Sequence, residues 1–290
     1  MIKNLEQNYI SVVLVINDDN SQVEKKIKEI KKVLDNNFKS SEIVIVDNTA
    51  KVDSLESLKS LNFKHTEIKL PIKHRTQQAL NAGTAIAIGD YIVEIEDISF
   101  DIDYNKIIEM YRKSQEGYDF VFLTPKKSRR SSKIFYNILN KYFNEDINSS
   151  VMTLSSRRGQ NKVAEVGKRI INRNVAYVLS GLKSSYIVVD MDYKNNRGFS
   201  ENLMLMFDTL IYYTDAIMLF TQRLAFGFFI WIRSYLQYNY KNCKRNSRRM
   251  GIIIYNIELR ILWDIFYFKY YNKISTSYFT KFIKYKRLYL

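Results

Sequence analysis

The stretch GDYIVEIEDISFD, residues 89–101, sets three carboxylates, Glu94, Glu96 and Asp97, at the end of a strand-like apolar run. Hard oxygen donors this close together suit a divalent cation. A plainer account also fits: Glu94 and Glu96 are solvated on one face of an edge strand, and Ile92 and Ile95 enter the core. Other acids close other apolar runs. Asp18 and Asp19 follow the first run, Asp47 and Asn48 the second. In such places an acid serves a helix cap or turn as readily as a ligand. Cations gather at Lys126, Arg129, Arg130 and Lys133, and again at Arg157 and Arg158. These clusters suit a diphosphate or acceptor phosphate, or are solvated charge runs. His65 and His74 are too few and too far apart to indicate zinc.

The elements that must position these residues alternate between strand and helix. The β-branched run over 9–17 predicts a strand buried on both faces. Val23, Ile27, Ile30 and Leu34 then share one helical face, with Ser21 as cap. Strands are predicted over 42–48, 65–72, 90–96 and 118–124, and helices over 52–61, 76–88 and 104–115. The helix over 76–88 is rich in small residues and suited to packing closely on a sheet. This order implies an α/β fold with a mostly parallel sheet and helices on both faces. Ligands on such sheets bind beyond the carboxyl ends of the strands. Those ends carry residues 17–19, 47–48, 96–97 and 124–126. No glycine fingerprint follows the first strand, so a dinucleotide fold is not supported.

Charge divides the chain. Its 290 residues carry a formal net charge of +15. Residues 223–290 hold 14 Lys and Arg, two acids (Glu258 and Asp264) and 19 of the 41 aromatics. That leaves a nearly neutral body and a basic, aromatic tail section. The segment 203–240 is apolar but interrupted at Asp208, Asp215, Arg223 and Arg233, and its uncharged stretches are shorter than a membrane span needs. This predicts in-plane amphipathic helices on an anionic membrane surface. A buried helical subdomain is the alternative. Nucleic-acid binding is a lesser reading, because the tail has no recognisable motif for it. Cys243 is the single cysteine, so no intramolecular disulfide is expected, and the opening residues lack a secretory pattern.

The segments ISVVLVINDDN, EIVIVDNTA and QQALNAGTAIAIGDYIVEIEDISFD, taken in order, resemble the nucleotide-sugar domain of inverting family 2 glycosyltransferases, the GT-A fold. They are most similar to the polyprenyl-phosphate sugar synthase branch, which includes dolichyl-phosphate mannose synthases. SSKIFYNILNKYFN, MTLSSRR and the stretch over 177–202 extend the likeness, which covers about residues 9 to 235. The resemblance implies nucleotide-sugar contacts at Asp18, Asp19, Asp47, Asn48 and Asp90. It implies diphosphate or acceptor contacts at Lys126, Arg130, Lys133, Arg157 and Arg197. Catalytic and metal-holding acids would be Glu96 and Asp97, with Mg2+ or Mn2+ as the cation. Residues 1–200 would be the GT-A domain and 201–290 the membrane-association region.

Departures from the family pattern limit the carry-over. The second acid of the family's D-x-D falls on Ile98; Glu96 with Asp97, or Glu94 with Glu96, would have to serve instead. The Asn-x-Gly before the helix falls on Lys73, His74 and Arg75, and the Lys of a later S-K-Y loop falls on Glu201. The expected activity is transfer of a sugar from a nucleotide-diphosphate sugar to a lipid-linked acceptor. It would take place at the cytoplasmic face of the cell membrane, in cell-surface glycan synthesis. The competing expectation is a degenerate homologue that binds or scaffolds a partner glycosyltransferase, or forms a homo-oligomer.

Overall fold

The computed structural model describes residues 5–18, 22–51, 58, 60–127, 130–166, 170–191, 199–214 and 216–242. Ser21, Asp19, Arg129, Arg197, Cys243 and most of the helix expected over 52–61 lie outside the described residues. By chain contacts the protein divides into two compact units, Met1–Thr209 and Leu210–Leu290.

The first unit is built on seven strands: β1 (Ile10–Ile16), β2 (Ser41–Asp47), β3 (Thr66–Lys69), β4 (Tyr91–Ile95), β5 (Phe120–Pro125), β6 (Met152–Ser156) and β7 (Ser184–Val189). They form one sheet in the order β3-β2-β1-β4-β6-β5-β7. β1 pairs in parallel with β2 and β4, β2 with β3, and β5 with β7. β6 runs antiparallel between β4 and β5. The mostly parallel α/β sheet expected from the alternation is thus present, with one reversed strand that the alternation did not signal. β4 lies inside the sheet between β1 and β6, so the edge-strand account of Glu94 and Glu96 fails.

Helices cover both faces. On one face, Ile10, Val12, Leu14 and Ile16 pack with Ile27, Ile30 and Leu34 of α1 (Val23–Asn37) and Ile107 and Met110 of α3 (Lys106–Gln115). On the other, Val13, Val15, Val44, Val46 and Ile92 pack with Ala79 and Leu80 of α2 (Thr76–Ile86). Alternate residues of β1 therefore feed opposite cores, the two-residue period of a doubly buried strand. Each fully buried aliphatic side chain contributes roughly 1.5–3 kcal/mol. Gly83 is what allows α2 to sit so close. A Cβ there would stand 2.4 Å from Val13 Cγ1 and 2.8 Å from Val46 Cγ2.

Four helices of this unit and its boundary follow: α4 (Arg130–Phe143), α5 (Arg157–Val166), α6 (Arg173–Leu179) and α7 (Phe199–Tyr213). α8 (Ala216–Asn242) belongs to the second unit. Leu219, Phe220, Leu224, Phe226, Phe228 and Trp231 are exposed on it, so apolar residues wrap most of the helix rather than a narrow stripe. Among the described residues no helix is long and apolar enough to cross a membrane.

Candidate active site at the carboxyl edge of the sheet

Parallel register brings three strand ends together. Ile16 stands opposite Asp47, and Leu14 opposite Ile95. Asp18, Asp47, Glu96 and Asp97 therefore emerge from neighbouring strands at one edge. Asp18 is exposed just beyond β1. Asp47 is buried, and its Oδ1 accepts Thr49 N at 2.9 Å and Thr49 Oγ1 at 2.7 Å, which closes a tight turn. Glu96 is half-buried, and its Oε1 accepts Gln77 Nε2 at 2.9 Å from the first turn of α2. Asp97 Oδ1 accepts Ser99 N at 2.8 Å. The loop that follows is clamped from α1: Lys26 Nζ donates to the carbonyls of Ile98, Ser99 and Phe100, each at 2.9 Å.

Glu96 and Asp97 face different surroundings. Glu96 shares the α2 face of β4 with Glu94. Asp97 lies close enough to Tyr104 to act on it, and Tyr104 packs in the core under α1 and α3. Burial pushes the Tyr104 hydroxyl up, and Glu29, Asp101 and Asp97 add to the effect. Ile98, on which the resemblance set the second acid of the D-x-D, is buried as core. Among the described residues no three His, Cys, Asp or Glu side chains gather as a metal cluster.

Glu94 is a correction to the sequence expectation. It cannot pair with Glu96 as a metal ligand, because it is 2 % exposed and bonded to Arg173 Nε and Nη2, the latter at 2.6 Å. Gln160 Nε2 donates to Glu94 Oε1 at 2.7 Å, and the Tyr177 hydroxyl donates to the same oxygen. Asn81 accepts from Arg173 Nη1. Burial opposes the charge on Arg173, but Glu94 and Tyr177 outweigh it and raise its pKa. Burial pushes the Tyr177 hydroxyl far up. Tyr177 also stacks on Phe120 at 4.5 Å. This polar network, with every ion paired, underlies the edge from the α2 side.

Three further expected ligands are committed elsewhere. Asn48 is fully buried: its Nδ2 donates to Asn17 Oδ1 and His74 O, and its Oδ1 accepts His74 N, all at 2.7 Å. It ties the ends of β1 and β2 to the loop before α2, and both of its amide protons are used in doing so. Asp90 lies at the amino end of β4, about 20 Å from Glu96 at ~3.3 Å per residue. There its Oδ2 accepts Tyr9 N at 2.9 Å. Arg157 lies at that same amino edge, because β6 runs the other way. Its Nη2 donates to Ala87 O at 2.7 Å and Gly89 O at 2.6 Å, and its Nε to Gly89 O at 3.1 Å. Arg157 closes the α2–β4 loop and does not reach the acidic edge.

The remaining cations are mixed. Lys126 follows β5 at the carboxyl edge, exposed, with its backbone N donating to Val189 O at 2.8 Å. Lys133 is exposed on α4. Arg130 opens α4, and its side chain lies outside the described residues, as do Arg197 and the side chain of Glu201. Arg75, next to His74, pairs with Asp208 of α7. Sequence reasoning passed over Gln77, Arg173, Tyr177 and Gln160. The signal for them was Glu94 itself: a carboxylate two residues from Ile92, on a buried strand face, requires a buried cation partner.

A sheet of this order with acids along its carboxyl edge has the GT-A-like architecture that the resemblance implied. Solved structures with this fold include glucosyl-3-phosphoglycerate synthase from Mycobacterium tuberculosis. Its complex with Mn2+, UDP-glucose and phosphoglyceric acid gives a TM-score of 0.56 at 15 % identity, covering 70 % of this chain and 77 % of that one. The complex with Mn2+, UDP and phosphoglyceric acid gives 0.55 at 15 % identity, covering 70 % and 76 %. At this identity the likeness is one of fold. In sequence, the chain is 25 % identical over 174 residues to the uncharacterized glycosyltransferase YkcC of Bacillus subtilis (strain 168). That match covers 57 % of this chain, which spans about half (53 %) of the relative's length. No family model matches the chain.

Proposed function

We propose that this chain is an inverting, family 2-type glycosyltransferase of the polyprenyl-phosphate branch. It would move a sugar from a nucleotide-diphosphate donor to a lipid-linked acceptor, a polyprenyl phosphate or lipid-linked glycan. It would act from the cytoplasmic face of the cell membrane, with the apolar and basic region after residue 200, where α8 exposes Phe226, Phe228 and Trp231, against anionic lipid. The observation that carries this reading is the row of acids Asp18, Asp47, Glu96 and Asp97 at the carboxyl edge of a GT-A-like sheet. Similarity to a protein named as a glycosyltransferase supports it.

In this reading Asp47 meets the nucleobase and the strand-end acids face the diphosphate. Their hard oxygens suit Mg2+ or Mn2+, which when bound would offset charge on the leaving diphosphate; Glu96 or Asp97 would hold it. The protein supplies few ligands, since Ile98 is core and Glu94 is paired. Diphosphate oxygens and water would complete the shell. A polyprenyl phosphate acceptor is already an anionic nucleophile, so no strong general base is required. The chain's work is then to position reactants and stabilise the leaving group.

A second reading, a catalytically silent homologue that serves a partner glycosyltransferase, is favoured by that same depleted donor set. One experiment separates the two. Calorimetric titration of UDP- and GDP-sugars with and without Mn2+ should show binding, and donor turnover with acceptor lipid should follow. Binding without turnover favours the silent homologue, and no binding to any donor sinks the proposal. The membrane half is tested by sedimentation with anionic vesicles: the chain should pellet at low salt and be only partly released at ~1 M salt. A chain left in the supernatant at low salt removes the lipid-surface half of the reading.

A further inference from the structure

One residue joins the buried network to the acidic edge. Gln77, in the first turn of α2, is 6 % exposed. Its Oε1 accepts Arg173 N at 3.2 Å, while its Nε2 donates to Glu96 Oε1 at 2.9 Å. The carboxamide has a single workable orientation, because the backbone N–H needs an acceptor and the carboxylate needs a donor. Arg173 is fixed in turn, with its guanidinium on Glu94, Asn81 and Tyr177. The position of Glu96 is thus referred, through one amide, to a buried ion pair and the first residue of α6.

We propose that Gln77 is the positioning residue of this site. It holds Glu96 from α2, where a neutral amide stands in for the second carboxylate that Ile98 does not provide. Asp97, whose Oδ1 accepts Ser99 N, takes no part in the arrangement. The inference rests on the donor-binding reading above, and it adds an order of events. With Glu94 on this face paired to Arg173, the described residues alone make a poor cation site, and metal binding depends on the oxygens of the donor's diphosphate.

The test is a Mn2+ titration of the full chain without nucleotide, read by the paramagnetic resonance signal of free Mn2+. Wild type should bind weakly. Gln77→Glu keeps an acceptor for Arg173 N and sets a second carboxylate beside Glu96, so it should bind Mn2+ about tenfold or more tightly. The gain should vanish when Glu96→Gln is added to Gln77→Glu. Gln77→Met keeps the volume and loses both bonds. It should gain no Mn2+ affinity and should raise the Kd for nucleotide sugar in Mn2+ about tenfold, with its fold intact by circular dichroism. A purely structural role for Gln77 would leave the nucleotide-sugar Kd of folded Gln77→Met unchanged. No gain in Gln77→Glu, or a gain that survives Glu96→Gln, overturns the proposal. Should Gln77→Glu not fold, an unchanged nucleotide-sugar Kd in Gln77→Met overturns it. Failure of wild type to bind any nucleotide sugar overturns the donor reading instead, while the Mn2+ titration still decides the role of Gln77.

Discussion

At the amino edge of the sheet, charged side chains are bonded to the fold itself. Asp90 holds Tyr9 N, Arg157 holds the carbonyls of Ala87 and Gly89, and Asp119 holds Arg158 and Ser156. At the carboxyl edge the same kinds of residue are held differently. Glu96 and Asp97 are half-buried, and the bonds they accept include one from the Gln77 carboxamide and one from the Ser99 backbone N–H. Neutral donors fix a carboxylate's direction and leave its net charge in place. An acid meant to meet a cation needs its charge left in place, whereas the two arginines of the amino edge are spent on carbonyls and on Asp119. Residue type alone does not distinguish the two edges; strand direction does.

The largest expected effect lies under the carboxyl edge, at its buried support. Arg173→Met leaves Glu94 charged and unpaired at a site 2 % exposed. It should cost about 3–5 kcal/mol in urea unfolding. Adding Glu94→Leu should recover much of the loss, since a well-packed apolar pair often matches a buried ion pair. A loss below ~1 kcal/mol in the single variant would mean that the network supports the edge less than its geometry indicates.

The two edges are then compared directly. Arg157→Met removes three charge-assisted bonds to carbonyls at the amino edge. Unfolding should become easier by about 1.5–3 kcal/mol, with nucleotide affinity unchanged. Asp47→Asn should do the reverse. Its amide oxygen can still accept from Thr49 N, so stability should change by less than ~1 kcal/mol, while nucleotide binding weakens by about 1–3 kcal/mol. If Arg157→Met weakens nucleotide binding without destabilising the chain, the division between edges is wrong.

Much of the sheet was legible because its central strands are buried on both faces. Continuous β-branched runs marked β1 and β2, and the apolar spacing of Val23, Ile27, Ile30 and Leu34 marked α1. The close seat of α2 was legible in its small residues, and Gly83 is where it matters. The reversal of β6 was not legible, because a short apolar run carries no mark of direction. That one reversal moved Arg157 to the edge opposite the acids. Asp90 entered only through the resemblance: the alternation already set it at the start of its strand, away from the carboxyl ends, and the structure keeps it there. Glu94 was half-legible. Its place among buried neighbours demanded a cation, but Arg173 lies 79 positions away, beyond any local pattern.

The smallest effect concerns the amino edge and its pH dependence. Burial pushes the Asp119 carboxyl up, but the bonds from Arg158 and Ser156 outweigh it and hold it below its ordinary value. A carboxyl with a lowered folded pKa contributes stability at neutral pH. That contribution is complete above the unfolded value, near ~4, and is lost as pH falls through the lower folded value. Arg158 is 73 % exposed, so solvent screens the pair and Arg158→Ala should cost about 0–1 kcal/mol at pH 7. The cost should shrink toward zero as acid protonates Asp119, and wild type and variant should draw together as pH falls through the lowered folded value. Urea midpoints measured from pH 7 to pH 2.5 would show this convergence. A gap that stays constant with pH would mean that Arg158 acts through packing of its aliphatic stem rather than through Asp119.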